Sequence, residues 1–316
     1  QPSEISPCTR QRRSLLQRRQ SIDFELSECS ALPPPGSYLK SLDNLMVTDV
    51  LREGREVNVY RGYFVYTEPL HGEDKIATSP FALKVATDAA EKSAEVLDEL
   101  RGEIKLASGL DHPNICKLVY MFDAPRCVCL AYEFCSNGSL FSLIADTSRT
   151  YDYLPLVLDI VKGMCYLHSR NIIHRDLKPG NIFLDSNCRA KISDFGMSVP
   201  HTGEELSGET GTYRWMAPEV IRHEPYSSNA DVYSFGVILW QLVTRNIRPF
   251  ADLSPIQTAF AVAKGQRPSI PKSIPDYIGQ IITACWDEEH LRRPSFSLVS
   301  MALADYATTA YQMSIP

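Results

Sequence analysis

The sequence predicts an α+β chain in two parts, a small β-rich part followed by a larger helical one. Two observations carry this. From about 45 to 135 the apolar residues alternate with period two through β-branched and aromatic stretches, as in V-N-V-Y-R-G-Y-F-V-Y, F-A-L-K-V-A and C-V-C-L-A-Y-E-F. From about 136 to 305 they recur at helical spacing instead, as in L-P-L-V-L-D-I-V-K-G-M-C-Y-L-H and D-V-Y-S-F-G-V-I-L-W-Q-L-V. The 316 residues suffice for two cores, and 44% hydrophobic with 22% charged residues is ordinary for a globular protein.

Residues 1–44 differ in composition from the rest of the chain. Arg10, Arg12, Arg13, Arg18 and Arg19 come with no acid between them, and L-P-P-P-G stands at 32–36. Such a segment buries little, so a disordered tail is expected, regulatory in role. Arg18-Arg19-Gln20-Ser21 fits a basophilic kinase site, and the proline run offers a polyproline II segment to an adaptor. Within the β-rich part the polar stretch at 67–80 reads as a long hairpin loop. One helix, roughly 90–109, interrupts the strands. Its apolar stripe is Val96, Leu100, Ile104 and Ala107, and Glu103 falls on the same inward face. A carboxylate there is costly unless paired, which points to Lys84 in the apolar strand F-A-L-K-V-A. Residues 306–316 are expected as a C-terminal extension.

The net charge of −6 argues against a general nucleic-acid binder. Nine cysteines occur without a C-x-x-C pair, which favours reduced, structural thiols in a cytoplasmic setting over zinc or disulfides. The longest apolar run, at 235–243, is too short to cross a bilayer, so no transmembrane segment is expected. The chain starts without Met and shows no signal-type apolar region, and so reads as a piece of a longer protein.

Four short segments carry the chemistry: F-A-L-K at 81–84, H-R-D-L-K-P-G-N at 174–181, D-F-G at 194–196 and G-T-Y-R-W-M-A-P-E at 211–219. In this order and at these separations they resemble the protein-kinase signature set. The resemblance covers roughly residues 45–305. The wording of G-T-Y-R-W-M-A-P-E-V and D-V-Y-S-F-G-V-I-L-W is closest to the tyrosine-kinase-like group, especially plant-type Raf-like kinases. It implies a bilobal protein-kinase fold, an N-lobe at about 45–135 and a C-lobe at about 136–305. It also implies ATP and Mg²⁺ as cofactors and a serine/threonine kinase acting on a protein substrate in signalling.

Carried over residue by residue, the resemblance makes Lys84 the ammonium on the α/β-phosphates, with Glu103 as its partner. Asp176 becomes the base that accepts the substrate hydroxyl proton, and Lys178 the cation that steadies the γ-phosphate. Lys178-Pro179 looks like the serine/threonine form of this loop. Asn181 and Asp194 become the metal ligands, and such oxygen donors suit Mg²⁺. Glu133 and Cys135 would present backbone groups to adenine, with the bulky Tyr132 closing the pocket behind them. Glu219 is expected to pair with Arg293, Asp231 to cap the catalytic-loop backbone, and Phe195 to stack with His174. Arg175 would receive a phosphate placed on Ser207 or Thr210 by an upstream kinase, while Thr212 would contact the catalytic loop.

Two departures set limits. A phosphate-cradling loop of the form G-x-G-x-x-G-x-V ending at Val59 needs glycine at 52, 54 and 57, but the chain has Arg52, Gly54 and Val57. Glycine lets backbone approach phosphate without a Cβ, so a poorer lid and weaker ATP binding are expected. Ala107 stands where a larger aliphatic residue usually backs the helix, so the Lys84–Glu103 pair is expected to need help to close. These two features support an alternative, a pseudokinase acting as a scaffold. The complete acid set favours an enzyme, slowed by its imperfect lid; a dual-specificity kinase is the lesser variant.

Overall fold

The computed structural model describes residues 45–70, 73–87, 93–124, 127–200 and 212–313. The tail 1–44 and the candidates Ser207 and Thr210 lie outside the described residues. The chain divides into two compact units, one formed by the chain up to Ile104 with Leu118–Phe134, the other by Lys105–Lys117 with Cys135 onward.

The first unit is built on antiparallel strands β1 (Leu45–Arg52), β2 (Val57–Leu70), β3 (Glu73–Ala86), β4 (Leu118–Ala124) and β5 (Cys127–Glu133). They are hydrogen-bonded in the order β1-β2-β3-β5-β4. Alternation along β2 turns Asn58, Tyr60, Gly62 and Phe64 to the buried face. There the Phe64 and Phe81 rings lie 4.3 Å apart. Gly62 is obligatory at this point, because a Cβ would come within 2.2 Å of the Phe81 ring. Of the polar stretch 67–80, expected as a loop, residues 67–70 and 73–80 are instead strand: the β2–β3 ladder runs from Val57↔Ala86 to Leu70↔Glu73. An antiparallel ribbon satisfies its backbone through cross-strand bonds, so polar composition does not prevent the pairing from continuing.

Helix α1 (Ala94–Ala107) falls inside the expected 90–109. Its buried residues are Val96, Leu97, Leu100, Glu103 and Ala107, with Ile104 half-buried. The apolar stripe thus carries Glu103 inward with it, four residues from Ala107.

The second unit is helical: α2 (Leu140–Ala145), α3 (Tyr153–Ser169), α4 (Pro218–Ile221), α5 (Asn229–Thr244), α6 (Pro255–Ala263), α7 (Asp276–Cys285) and α8 (Phe296–Met313). Between α3 and α4 come four short strands, β6 (Ile172–Ile173), β7 (Ile182–Leu184), β8 (Ala190–Ile192) and β9 (Val199–Pro200). β6 pairs with β9 and β7 with β8. Helix starts reflect side-chain chemistry. Asp152 caps α3 by accepting from the Leu154 N–H at 3.0 Å, and Ser254 with Gln257 forms a capping box at α6 ahead of Pro255. Helix α5 is apolar on every side and buried from Ala230 to Leu242, as such a helix must be. Helix α8 continues through residues expected as an extension, and Tyr306 stacks on Tyr277 at 5.9 Å. Among the described residues no helix is long and apolar enough to cross a membrane.

Candidate active site

In the sheet unit the Lys84 ammonium donates to Glu103 Oε2 at 2.6 Å, with side chains 14% and 1% exposed. Desolvating that carboxylate is costly, and a close ammonium is the compensation. The other oxygen, Oε1, accepts the Tyr132 hydroxyl at 2.7 Å. The pair is therefore closed, although the helix carries only the small Ala107 one turn past Glu103. Val59 lies directly across the ladder from Lys84. Glu133 ends β5 opposite Phe81. Cys135 begins the longer stretch of the second unit, and its carbonyl accepts from the Gly138 N–H at 3.3 Å.

The loop between β1 and β2 lacks two glycines yet is well tied. Gly54 N–H donates to Asn58 Oδ1 at 3.1 Å, and Asn58 Nδ2 donates to the Tyr60 hydroxyl at 3.2 Å. Thr87 holds the far side, its N–H bonding Glu56 O at 2.7 Å and its hydroxyl Arg55 O at 2.9 Å. A Cβ at residue 54 would stand 2.3 Å from Val57 O, so this turn depends on the one glycine retained. The two glycines are absent as the sequence shows, and the loop is braced by an inward-facing asparagine.

In the helical unit, β6 delivers His174-Arg175-Asp176. Asp231, at the start of α5, accepts the His174 and Arg175 N–H groups at 2.9 Å each, and His168 Nε2 lies 2.9 Å from Oδ2. Burial alone would raise this carboxyl. The hydrogen bond from His168, its charge and the His174 N–H outweigh it and hold the group below the ordinary carboxylate range. His174 Nε2 faces the Ser193 carbonyl at 3.1 Å, so that nitrogen carries the proton and Nδ1 accepts from the Asp176 N–H at 3.3 Å. The Phe195 ring lies 5.6 Å from the His174 ring, and both are buried.

Asp176 Oδ2 accepts from Lys178 Nζ at 2.6 Å and from Asn181 Nδ2 at 2.8 Å. Its Oδ1 is buried and has no hydrogen-bond partner among the described residues. Asn181 directs its amide hydrogens to Asp176 Oδ2 and, at 2.9 Å, to the Asp176 carbonyl, which leaves its side-chain carbonyl oxygen as the atom suited to a cation. Pairing of Ile182 with Ile192 sets Asn181 opposite Ser193, whose N–H bonds the Asn181 backbone carbonyl at 2.9 Å. Asp194 comes next in the chain after Ser193, and amide and carboxylate oxygens of this kind suit a hard divalent cation. Arg175 and Asp194 both adopt left-handed backbone, with φ of 72° and 67°. Such conformations cost energy and persist only where the surroundings impose them.

Farther along, Arg293 grips Glu219 with two bonds of 2.7 and 2.8 Å, both side chains buried. Thr212 begins a 3-10 turn ending at Arg214, which donates to the carbonyls of Pro249, Phe250 and Leu253.

Residues 45–303 match the family model for protein tyrosine and serine/threonine kinases. The chain belongs to this family.

The kinase domain is similar to the serine/threonine/tyrosine-protein kinase HT1 of Arabidopsis thaliana, 37% identical over 85% of this chain and 68% of the relative. It is 31% identical to the Arabidopsis serine/threonine-protein kinase STY17 over 92% of this chain and 50% of that protein. It is 38% identical to the Arabidopsis kinase CTR1 over 65% of this chain and 26% of that protein. The chain thus spans between about a quarter and two thirds of these relatives.

Three features of the kinase domain were not anticipated from the sequence. Asn58 was legible in principle, since period two puts it on the inward face of β2, where a polar group needs a partner. His168 as a partner of Asp231, and the Tyr132 hydroxyl as a partner of Glu103, depend on contacts 63 and 29 residues apart in sequence. Nothing local announces them.

Proposed function

We propose that this kinase domain transfers the ATP γ-phosphoryl group to serine and threonine hydroxyls of proteins. The observation that supports it best is the division of labour within Asp176. One carboxylate oxygen is fixed by Lys178 and Asn181, and the other is left to receive a proton from a substrate hydroxyl. Lys178, already beside Asp176, would stabilise charge on the phosphoryl oxygens. Lys84, oriented by Glu103, would neutralise the α/β-phosphates, and Asn181 with Asp194 would hold Mg²⁺. When bound, Mg-ATP supplies the transferable group and the divalent charge that balances it. Phosphate from an upstream kinase on Ser207 or Thr210 would engage Arg175, and the tail would serve adaptors; a cytoplasmic setting agrees with the thiol-rich composition. The scaffold reading loses one of its two supports, because the Lys84–Glu103 pair is closed. Tyrosine as an additional acceptor is the second reading, favoured by the name of the relative HT1.

The test is incorporation of labelled phosphate from Mg-ATP by the purified chain, with Asp176→Asn and Lys84→Met alongside. Loss of the base should cost about 10²–10⁴ in rate. Equal incorporation in all three proteins would defeat the proposal, and phosphoamino-acid analysis separates serine and threonine from tyrosine.

A further inference from the structure

Glu103 is held from two strands at once. Lys84 on β3 pairs with Leu130 of β5, and Tyr132 stands two residues beyond Leu130. Side chains directly opposite across a ladder share a face, and so do residues two apart on one strand. Lys84 and Tyr132 therefore rise from the same face of the sheet, as diagonal neighbours. Their polar ends meet the two oxygens of one carboxylate, at 2.6 Å on Oε2 and 2.7 Å on Oε1. Tyr132 is only 5% exposed and Glu103 2%, so neither group has ready recourse to water. Moving α1 outward would strip a partner from both ends of the carboxylate, not from the lysine end alone.

We propose that Tyr132 is a positioning residue. Its hydroxyl latches Glu103 so that the Lys84–Glu103 pair stays closed without a bulky residue at 107. The phenol supplies by hydrogen bonding the restraint that Ala107 does not supply by packing. Closure of α1 is then a built-in property of the sheet unit and needs no activating partner. For catalysis this rests on the phosphoryl-transfer reading above; the latch itself does not.

The experiment uses Tyr132→Phe in the full chain, which keeps the ring and removes only the donor. Two readouts are taken: amide hydrogen exchange across α1, with α5 as internal reference, and steady-state kinetics with Mg-ATP. A charge-assisted bond of this kind is worth about a tenfold shift in a closing equilibrium. Exchange in α1 should quicken about tenfold while α5 is unchanged. The ATP kcat/KM should fall by a similar factor, and the fall should vanish when Tyr132→Phe is added to Glu103→Ala, which removes the acceptor. Unchanged exchange in α1, or equal acceleration in α1 and α5, overturns the latch, the second because it signals general loosening. An active parent whose Tyr132→Phe form retains full kcat/KM also overturns it. Faster α1 exchange in a chain that incorporates no phosphate at all supports the latch and defeats the kinase reading instead.

Discussion

Replacing Asp231 by Asn tests whether one buried carboxylate organises the loop at 174–181. Asp231 is 1% exposed and serves the N–H groups of His174 and Arg175 as well as His168 Nε2. The amide keeps one acceptor oxygen and turns its NH₂ toward donors that the other oxygen served. At least one charge-assisted bond is lost, about 1.5–3 kcal/mol. Buried donors left facing one another bring the total to about 3–5 kcal/mol. For a domain of this size that lowers Tm by roughly 6–20 °C. The assay is thermal unfolding of parent and variant at neutral pH, repeated into strong acid. The folded carboxyl titrates below its ordinary value of 3.8, so its stabilisation is complete above that value and fades as pH falls through the lower folded one. The gap between the proteins should hold constant down to about pH 5 and close only in stronger acid. A variant that melts within about 2 °C of the parent at neutral pH refutes the reasoning.

Arg293→Ala should destabilise by about 3–5 kcal/mol, because it leaves Glu219 buried without its two bonds. Denaturant unfolding measures this, and the double variant with both residues changed to Leu should recover part of the loss. Gly54→Ala forces a Cβ against Val57 O, so the bond to Asn58 should break and the ATP KM rise roughly tenfold; an unaltered KM counts against a braced loop. Burial pushes the Cys285 thiol up to about 12, whereas Cys188 is exposed. Brief alkylation near pH 8 followed by peptide mass mapping should label Cys188 and spare Cys285.

Much of this protein was legible in local pattern. The switch from period two to helical spacing marked a strand-rich part and a helical part, since each periodicity buries one face of one kind of element. The segments 81–84, 174–181, 194–196 and 211–219 named the acids and cations that the two units present. The inward stripe of α1 anticipated that Glu103 required a cation. Where composition stood in for pairing, at 67–80, the expectation failed, because a β ladder depends on its partner strand and polar side chains do not prevent it.

Tertiary structure alone decided how those groups are held. Whether the Lys84–Glu103 pair is open or closed depends on how α1 lies against β3 and β5, and there the Tyr132 hydroxyl takes the second oxygen. Whether a loop short of glycines keeps its shape depends on Asn58, reached across the turn. Whether the loop at 174–181 is fixed depends on Asp231, supplied from a helix more than fifty residues farther along the chain. The residue types were set by the sequence because chemistry demands particular atoms. Their restraint was set by the fold because a buried charge is stabilised only by partners that packing brings within hydrogen-bond reach.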